Sequence, residues 1–129
     1  MKREGWYREE KRRPHHRLRV WQSSKALALE LYRVTSYFPD NELYGLTSQL
    51  RRAAVSVSSN IAEGAARDSD RDFLRFLFMS RGSLNEIDTQ LEIADELGML
   101  VAIDLTELRT HFDKTSARLQ GLIRRLKRS

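Results

Sequence analysis

Apolar residues recur at steps of three and four in four separate stretches, and this spacing constrains the fold more than any other feature. The cleanest stretch is the last, with Leu105, Leu108, Phe112, Thr115, Leu119, Leu122 and Leu126. Such spacing places the apolar residues on one face of an α-helix, and no stretch alternates for long enough to make a β-strand. The sequence therefore predicts an all-α fold.

Three earlier stretches carry the same pattern. The first helix is predicted from Val20, Leu27, Leu31, Val34 and Phe38. The second helix is predicted from Leu46, Leu50, Ala53, Val57 and Ile61. The third helix is predicted from Phe73, Leu77, Leu84, Ile87, Leu91 and Ala94. Four helices with short connections favour an up-down-up-down four-helix bundle.

The predicted helices carry recognisable start and stop signals. Pro39 ends the first helix, because proline cannot continue a helix and disfavours helical geometry in the residue before it. Gly64 and Gly98 are predicted to end the second and third helices as C-caps, since glycine readily adopts left-handed geometry. Ser69 and Asp72 resemble a capping box that opens the third helix.

The composition indicates one domain of a soluble protein. A chain of 129 residues is long enough for one core. The absence of cysteine excludes disulfides, thiolate zinc sites and a cysteine nucleophile, and it is consistent with a reducing compartment. No apolar run is long enough to span a bilayer, and the first residues lack the apolar region of a signal peptide. We therefore expect a cytoplasmic protein with no membrane association.

The positive charge is concentrated at the two ends of the chain. Residues 1–19 hold eight Lys and Arg against three acids, and residues 118–129 hold five basic residues and no acid. The region between them has a net charge of −5. We therefore divide the chain into a basic, flexible N-terminal arm at residues 1–18 and a four-helix bundle domain at residues 19–129 with a basic C-terminal end.

Residues suited to catalysis are sparse. His111 is the only histidine of the predicted bundle, and its spacing from Glu107 is more typical of a surface contact than of a metal site. The Glu-x-x-His motifs of di-iron bundles and a glycine-rich phosphate loop are both missing. We therefore expect a protein that is not an enzyme and needs no metal or cofactor.

The second helix has an unusual surface along SQLRRAAVSVSSNIAEGAAR, residues 48–67. One flank carries a strip of polar residues, namely Gln49, Arg52, Ser56, Asn60, Glu63 and Arg67. Another flank carries mostly small residues, which are Ser48, Arg51, Val55, Ser58, Ser59, Ala62 and Ala66. The first flank predicts a hydrogen-bonded network at a helix or subunit seam, with Arg81 and Glu86 of the third helix as partners. The second flank predicts cover by a neighbouring subunit. Recognition of a ligand by the polar strip is the alternative.

The region from Phe38 to Gly98 carries a set of short motifs, which are Phe38-Pro39, Glu42, Leu46, Gln49, Arg51-Arg52-Ala53, Ser56, Asn60-Ile61-Ala62-Glu63-Gly64, Arg67, Arg81-Gly82-Ser83 and Glu86. In these motifs the region resembles the bacterial four-helix bundle proteins called 23S ribosomal RNA intervening-sequence proteins. The resemblance implies a left-handed bundle that assembles as a ring-shaped homopentamer. A related protein, the accessory factor of diversity-generating retroelements, binds a reverse transcriptase and nucleic acid. The basic arm is not part of the family pattern.

Two functions follow from these observations. The first is an RNA-associated or other nucleic-acid-binding factor, in which basic residues contact phosphates while Trp6 and Tyr7 stack on bases. The expected phosphate contacts are Lys2, Arg3, Lys11, Arg12, Arg13, Arg17, Arg19, Arg124, Arg125, Lys127 and Arg128. The alternative is a structural scaffold that presents a surface to another protein and has no nucleic-acid role.

Overall fold

Four α-helices make up most of the chain that the computed structural model describes, which comprises residue 6 and residues 12–128. The helices are α1 (Arg19–Thr35), α2 (Ser48–Ala65), α3 (Asp70–Glu96) and α4 (Thr106–Lys127). Within the described residues the chain forms no strand, which confirms the all-α prediction. The four predicted helices are all present.

Short helical turns precede α1 and connect it to α2. Pro14–Arg17 forms a 3₁₀ helix within the segment predicted as a flexible arm. Between α1 and α2, a 3₁₀ turn at Asp40–Glu42 leads directly into a π-helical turn at Leu43–Thr47. A Glu42 carboxylate oxygen accepts the Leu46 backbone N–H at 3.1 Å, which holds this turn at the start of α2.

The caps of α3 form as predicted. The Ser69 hydroxyl accepts the backbone N–H of Asp72 at 3.2 Å and closes the N-terminus. At the other end Gly98 has φ +79°, while the N–H of Met99 bonds to the carbonyl of Ala94 at 3.0 Å. This pairing across a left-handed glycine is a Schellman motif, and it fixes the direction in which the chain leaves α3.

The predicted role of Gly64 as a C-cap is wrong. The helix continues to Ala65, and Gly98 is the one residue with positive φ in the part of the chain that the structure describes. Gly64 is buried, and a Cβ added there would lie 2.8 Å from Phe73 Cδ1 and 2.9 Å from Phe76 Cβ. Glycine therefore allows α3 to pack tightly against the end of α2.

The core contains the apolar stripes of all four helices. The side chains that are fully buried include Leu27, Leu31, Val34, Leu50, Val57, Ile61, Leu77, Ile87, Leu119 and Ile123. Each residue of the four predicted stripes is buried or packs half-buried against this cluster, which also contains the unpredicted Ile123. Burial of this apolar surface is the main source of the fold's stability.

Hydrogen bonds between helices show which ends are neighbours. The Arg118 guanidinium donates to the Arg19 carbonyl at 3.3 Å, so the C-terminal part of α4 lies beside the start of α1. The Arg33 guanidinium donates to the Asp104 carbonyl at 2.8 Å, so the end of α1 lies beside the start of α4. The two ends of the bundle therefore differ in the chain segments they contain.

Candidate functional site

The polar strip of α2 has its central contacts at Ser56. The Asn60 side-chain amide donates to the Ser56 carbonyl at 2.9 Å and to its hydroxyl at 3.0 Å. The Ser83 hydroxyl donates to the Ser56 hydroxyl at 2.9 Å and thereby joins α3 to α2. Ser56 and Asn60 are half-buried and Ser83 is buried. Because all three groups are bonded, this part of the seam avoids the cost of unpaired buried polar groups.

A groove of 440 Å³ lies between α2 and α3 on the side of Ser56 toward the start of α2. Its walls are Tyr44, Ser48, Gln49, Arg52, Ala53, Ser56, Glu86 and Gln90. Arg52 donates to the Ser48 hydroxyl at 3.2 Å, and Gln90 donates to the Gln49 side-chain oxygen at 3.2 Å. The side-chain oxygen of Gln90 is buried and has no hydrogen-bond partner in the structure. Glu86 lines this groove from α3.

The outer end of the strip makes exposed contacts. Arg67 and Glu63 form an ion pair at 3.0 Å, and both side chains are solvent-accessible, so this pair adds little stability. The guanidinium of Arg67 also lies 4.7 Å from the centre of the Phe76 ring. The strip therefore consists of separate local contacts around Arg52, Ser56 and Glu63, where the sequence predicted a single connected network.

Arg81 lies away from these contacts. Its guanidinium is 4.9 Å from the centre of the Phe78 ring, and Arg81 lines a groove between α3 and α4.

The small residues that bring α3 close to α2 are Gly64, Ser80 and Ser83, and the Ser80 hydroxyl donates to the Val57 carbonyl at 2.9 Å. The sequence pattern did not identify Gly64 in this role, because spacing along one helix does not show which neighbour lies over each face.

The flank of small residues on α2 is covered in part by α1 of the same chain. The hydroxyls of Ser58 and Ser24 are 3.1 Å apart. Arg51 donates to the Thr35 hydroxyl at 2.9 Å, and its guanidinium lies 4.6 Å from the centre of the Tyr32 ring. Val55 on this flank remains 46% exposed. Part of the cover that the sequence assigned to a neighbouring subunit therefore comes from α1.

The described basic residues near the two ends of the chain lie at the same end of the bundle. Arg19 and Arg118 are directly bonded, as described above. The basic residues predicted to contact phosphates are exposed wherever the structure describes them, and they are Arg12, Arg13, Arg17, Arg19, Arg124, Arg125, Lys127 and Arg128. Lys2, Arg3, Lys11 and Tyr7 lie outside the described residues. Trp6 is 91% exposed.

The turn before α1 packs on an aromatic side chain. The rings of His15 and His16 lie 4.7 Å and 5.3 Å from the ring of Trp21. Partial burial lowers the pKa of His15 below its ordinary value of 6.5, and the nearby His16 and Arg13 lower it further. Neutral His15 is therefore favoured where this turn contacts the bundle.

The described residues contain no cluster that indicates metal chemistry. Groups of three or more His, Cys, Asp or Glu residues that could hold a metal ion do not occur among them. His111 and Glu107 are 3.6 Å apart, which is the surface contact that the sequence predicted. No described helix combines the length and apolarity that a membrane-spanning segment needs.

These features define a four-helix, all-α protein with a polar seam between α2 and α3 and exposed basic residues where the later part of α4 lies beside the start of α1. A family model described as 23S rRNA-intervening sequence protein matches residues 16–121. The chain belongs to this family, which confirms the resemblance seen in its sequence. A search of curated proteins gave no match.

Proposed function

We propose that this protein is a non-enzymatic, oligomeric, nucleic-acid-associated factor that binds RNA through one basic end of its bundle. The observation that carries the proposal is the unequal distribution of charge between the two ends. The family's name refers to intervening sequences of 23S rRNA, which makes RNA the first nucleic acid to test.

The proposal includes an up-down-up-down, left-handed arrangement of the helices. The contacts between α1 and α4 described above support the up-down order, since the start of each of these two helices lies beside the later part of the other. The left-handed arrangement is what the family resemblance implies. Between α1 and α2, Ser24 is close to Ser58, and Thr35 is close to Arg51. The order of residues is reversed between the two helices, as antiparallel neighbours require.

In this arrangement the two ends of the bundle carry opposite charge. Residues 12–19, 63–75 and 118–128 share one end and hold twelve Lys and Arg against four Asp and Glu. Residues 33–52 and 86–113 share the other end and hold four Lys and Arg against ten Asp and Glu. The first end attracts phosphates and the second repels them, so an RNA strand has one favoured side of approach.

The basic end suits contact with the RNA backbone. Its charges are mainly exposed arginines, whose guanidinium groups form paired hydrogen bonds with phosphate oxygens. The exposed ring of Trp6 can stack on an unpaired base. Phosphate contacts and stacking carry no base-specific information, and we therefore expect weak sequence preference.

Oligomerisation is the second part of the proposal. Leu29 and Tyr32 on α1 and Val55 on α2 are 66%, 45% and 46% exposed. Burial of these side chains against another subunit removes apolar surface from water. A ring-shaped homopentamer, which the family resemblance implies, would present five basic ends and multiply the phosphate contacts.

The experiment compares the binding of a labelled single-stranded RNA by three forms of the protein, using fluorescence anisotropy. Arg124→Gln, Arg125→Gln and Lys127→Gln together should reduce the affinity by about tenfold or more, because three phosphate contacts are lost. Arg52→Gln, Arg109→Gln and Lys114→Gln form the matched control, since they remove the same charge from exposed sites outside the basic end. Equal losses in both triple variants would refute a binding surface at the basic end.

The N-terminal arm is tested by the same assay. A chain that lacks residues 1–11 loses four basic residues (Lys2, Arg3, Arg8 and Lys11), three acids (Glu4, Glu9 and Glu10) and both Trp6 and Tyr7, but it keeps the turn that packs on Trp21. We expect this shortened chain to bind the RNA more weakly. An unchanged affinity would assign the interaction to the basic residues that remain, at residues 12–19 and 118–128. Absence of binding by every form would favour the alternative function as a protein scaffold.

A further inference from the structure

The surface between α3 and α4 contains an open groove that the proposed function does not use. Two adjoining cavities of 310 Å³ and 220 Å³ share Asp88 and Phe112 and together form this α3–α4 groove. Along α3 the groove extends from Arg81 to Asp95. At the rise of an α-helix this distance is about 20 Å, which corresponds to roughly four helical turns.

The α3–α4 groove has an apolar floor and an acidic rim. Its floor includes Leu91 and Phe112, which are half-buried, and Leu108, which is buried. The rim around this part of the groove carries Asp88, Glu92, Asp95 and Asp113, together with one cation, Arg109. The four carboxylates are exposed. An apolar floor between acidic edges is complementary to a helix that has an apolar stripe flanked by Lys or Arg.

We propose that the α3–α4 groove binds a basic amphipathic helix of a partner protein. Apolar side chains of that helix would pack on Leu91, Leu108 and Phe112, and its basic residues would pair with the carboxylates of the rim. The same rim repels RNA, so the protein partner and the nucleic acid bind at different ends of the bundle. The four turns available match the spacing of anchors at positions i, i+3, i+4 and i+7 in helix-binding grooves.

A designed peptide serves as the probe for this groove. It is a fluorescent helix of about 18 residues, or five turns, with Leu at helical spacing and Lys on both flanks. The first control peptide has the same composition in scrambled order. The second has Glu in place of every Lys. We expect the intact protein to bind the Leu/Lys helix at least tenfold more tightly than either control.

Variants of exposed carboxylates then locate the binding site. Asp88→Asn with Glu92→Gln removes two charges from the rim and should weaken binding of the Leu/Lys helix by about tenfold. Asp40→Asn with Asp68→Asn removes two exposed charges away from the groove and should leave the affinity unchanged. Phe112→Ala tests the floor, and its melting temperature shows whether the variant is folded. The two pairs of surface substitutions decide the result even if Phe112→Ala unfolds.

Several results would overturn the proposal. Equal affinity for the Lys and Glu peptides would show nonspecific apolar binding, and equal losses in both double variants would place the site elsewhere. A smaller oligomer in the Asp88→Asn, Glu92→Gln variant would show that a second copy of the chain occupies the groove. Tighter peptide binding after removal of residues 1–11 would show that the chain's own arm competes for it.

Discussion

Ser83 on α3 donates a hydrogen bond to Ser56 on α2 at 2.9 Å, and the same Ser56 oxygen accepts the side-chain amide of Asn60 at 3.0 Å. A small hydroxyl at each position lets the two helices approach closely enough to bond directly. This arrangement accounts for the short polar side chains in the middle of α2. Longer side chains at Ser56 or Ser83 would separate the helices.

Ser56→Ala should destabilise the protein by about 1–2 kcal/mol, because the Ser83 hydroxyl would lose its acceptor in a buried position. The free energy of unfolding is measured by urea denaturation. Ser59→Ala on the exposed side of the same helix is the control, and it should change the stability by less than about 0.5 kcal/mol. If both substitutions changed the free energy of unfolding equally, the hydrogen bonds of Ser56 would not contribute to stability.

Gly64 and Gly82 should respond in opposite directions to substitution by alanine. At Gly64 the added methyl group would meet the side chains of Phe73 and Phe76 at less than 3 Å, so overpacking should cost about 1–3 kcal/mol. At Gly82 nothing lies within 4 Å of the added Cβ, so the higher helix propensity of alanine should stabilise the protein by about 0.5–1 kcal/mol. Thermal unfolding of both variants checks the signs, and a stabilised Gly64→Ala would contradict the packing role.

Substitution of Val55 tests whether a second subunit covers the face formed by α1 and α2. The isolated chain has a mass of 15.1 kDa, and we expect light scattering to show a larger particle. Val55→Lys should weaken this assembly without unfolding the chain, because Val55 is partly exposed and lysine would bring charge into the interface. Ala117→Lys on the exposed side of α4 is the control. A particle of 15.1 kDa for the unmodified protein would end the proposal of an oligomer.

The turn at Pro14–Arg17 should bind the bundle more strongly at neutral pH than at acidic pH. Burial lowers the pKa of His15 in the docked state, so the undocked segment binds more protons in acid. Docking of the turn on Trp21 is therefore strongest above pH 6.5, where His15 is neutral in both states. It weakens as the pH falls from 6.5 through the lowered pKa that His15 has in the docked state. NMR titration should give a His15 midpoint below 6.5, with the Trp21 indole signal changing over the same range. A midpoint at or above 6.5 would contradict the docked geometry.

The sequence predicted the helices and core residues well because both depend on local spacing. An apolar stripe such as Leu27, Leu31 and Val34 must face inward wherever the neighbouring helices lie. Ser69 and Gly98 were predicted correctly for the same reason, since their capping bonds involve nearby residues. Features determined within one or two turns of helix could therefore be predicted from the sequence.

The contacts between helices could not be derived in the same way. Gly64 can end a helix or admit a close neighbour, and only the position of Phe73 and Phe76 decides between these roles. Arg81 was assigned to the polar strip from its place in the sequence, but its side chain lies over Phe78 and lines the groove facing α4. A helical wheel gives the direction of each side chain but does not identify the helix it meets.

The salt dependence of RNA affinity tests the central claim, that the basic end of the bundle binds RNA, most directly. Log affinity of the unmodified protein for a single-stranded RNA should fall linearly with log salt concentration. Neutralising Arg124, Arg125 and Lys127 should make this slope shallower by up to about 2, since each lost phosphate contact contributes about 0.7. The Arg52, Arg109 and Lys114 control should keep the original slope. Identical slopes for all three proteins, or no RNA binding at low salt, would contradict the account.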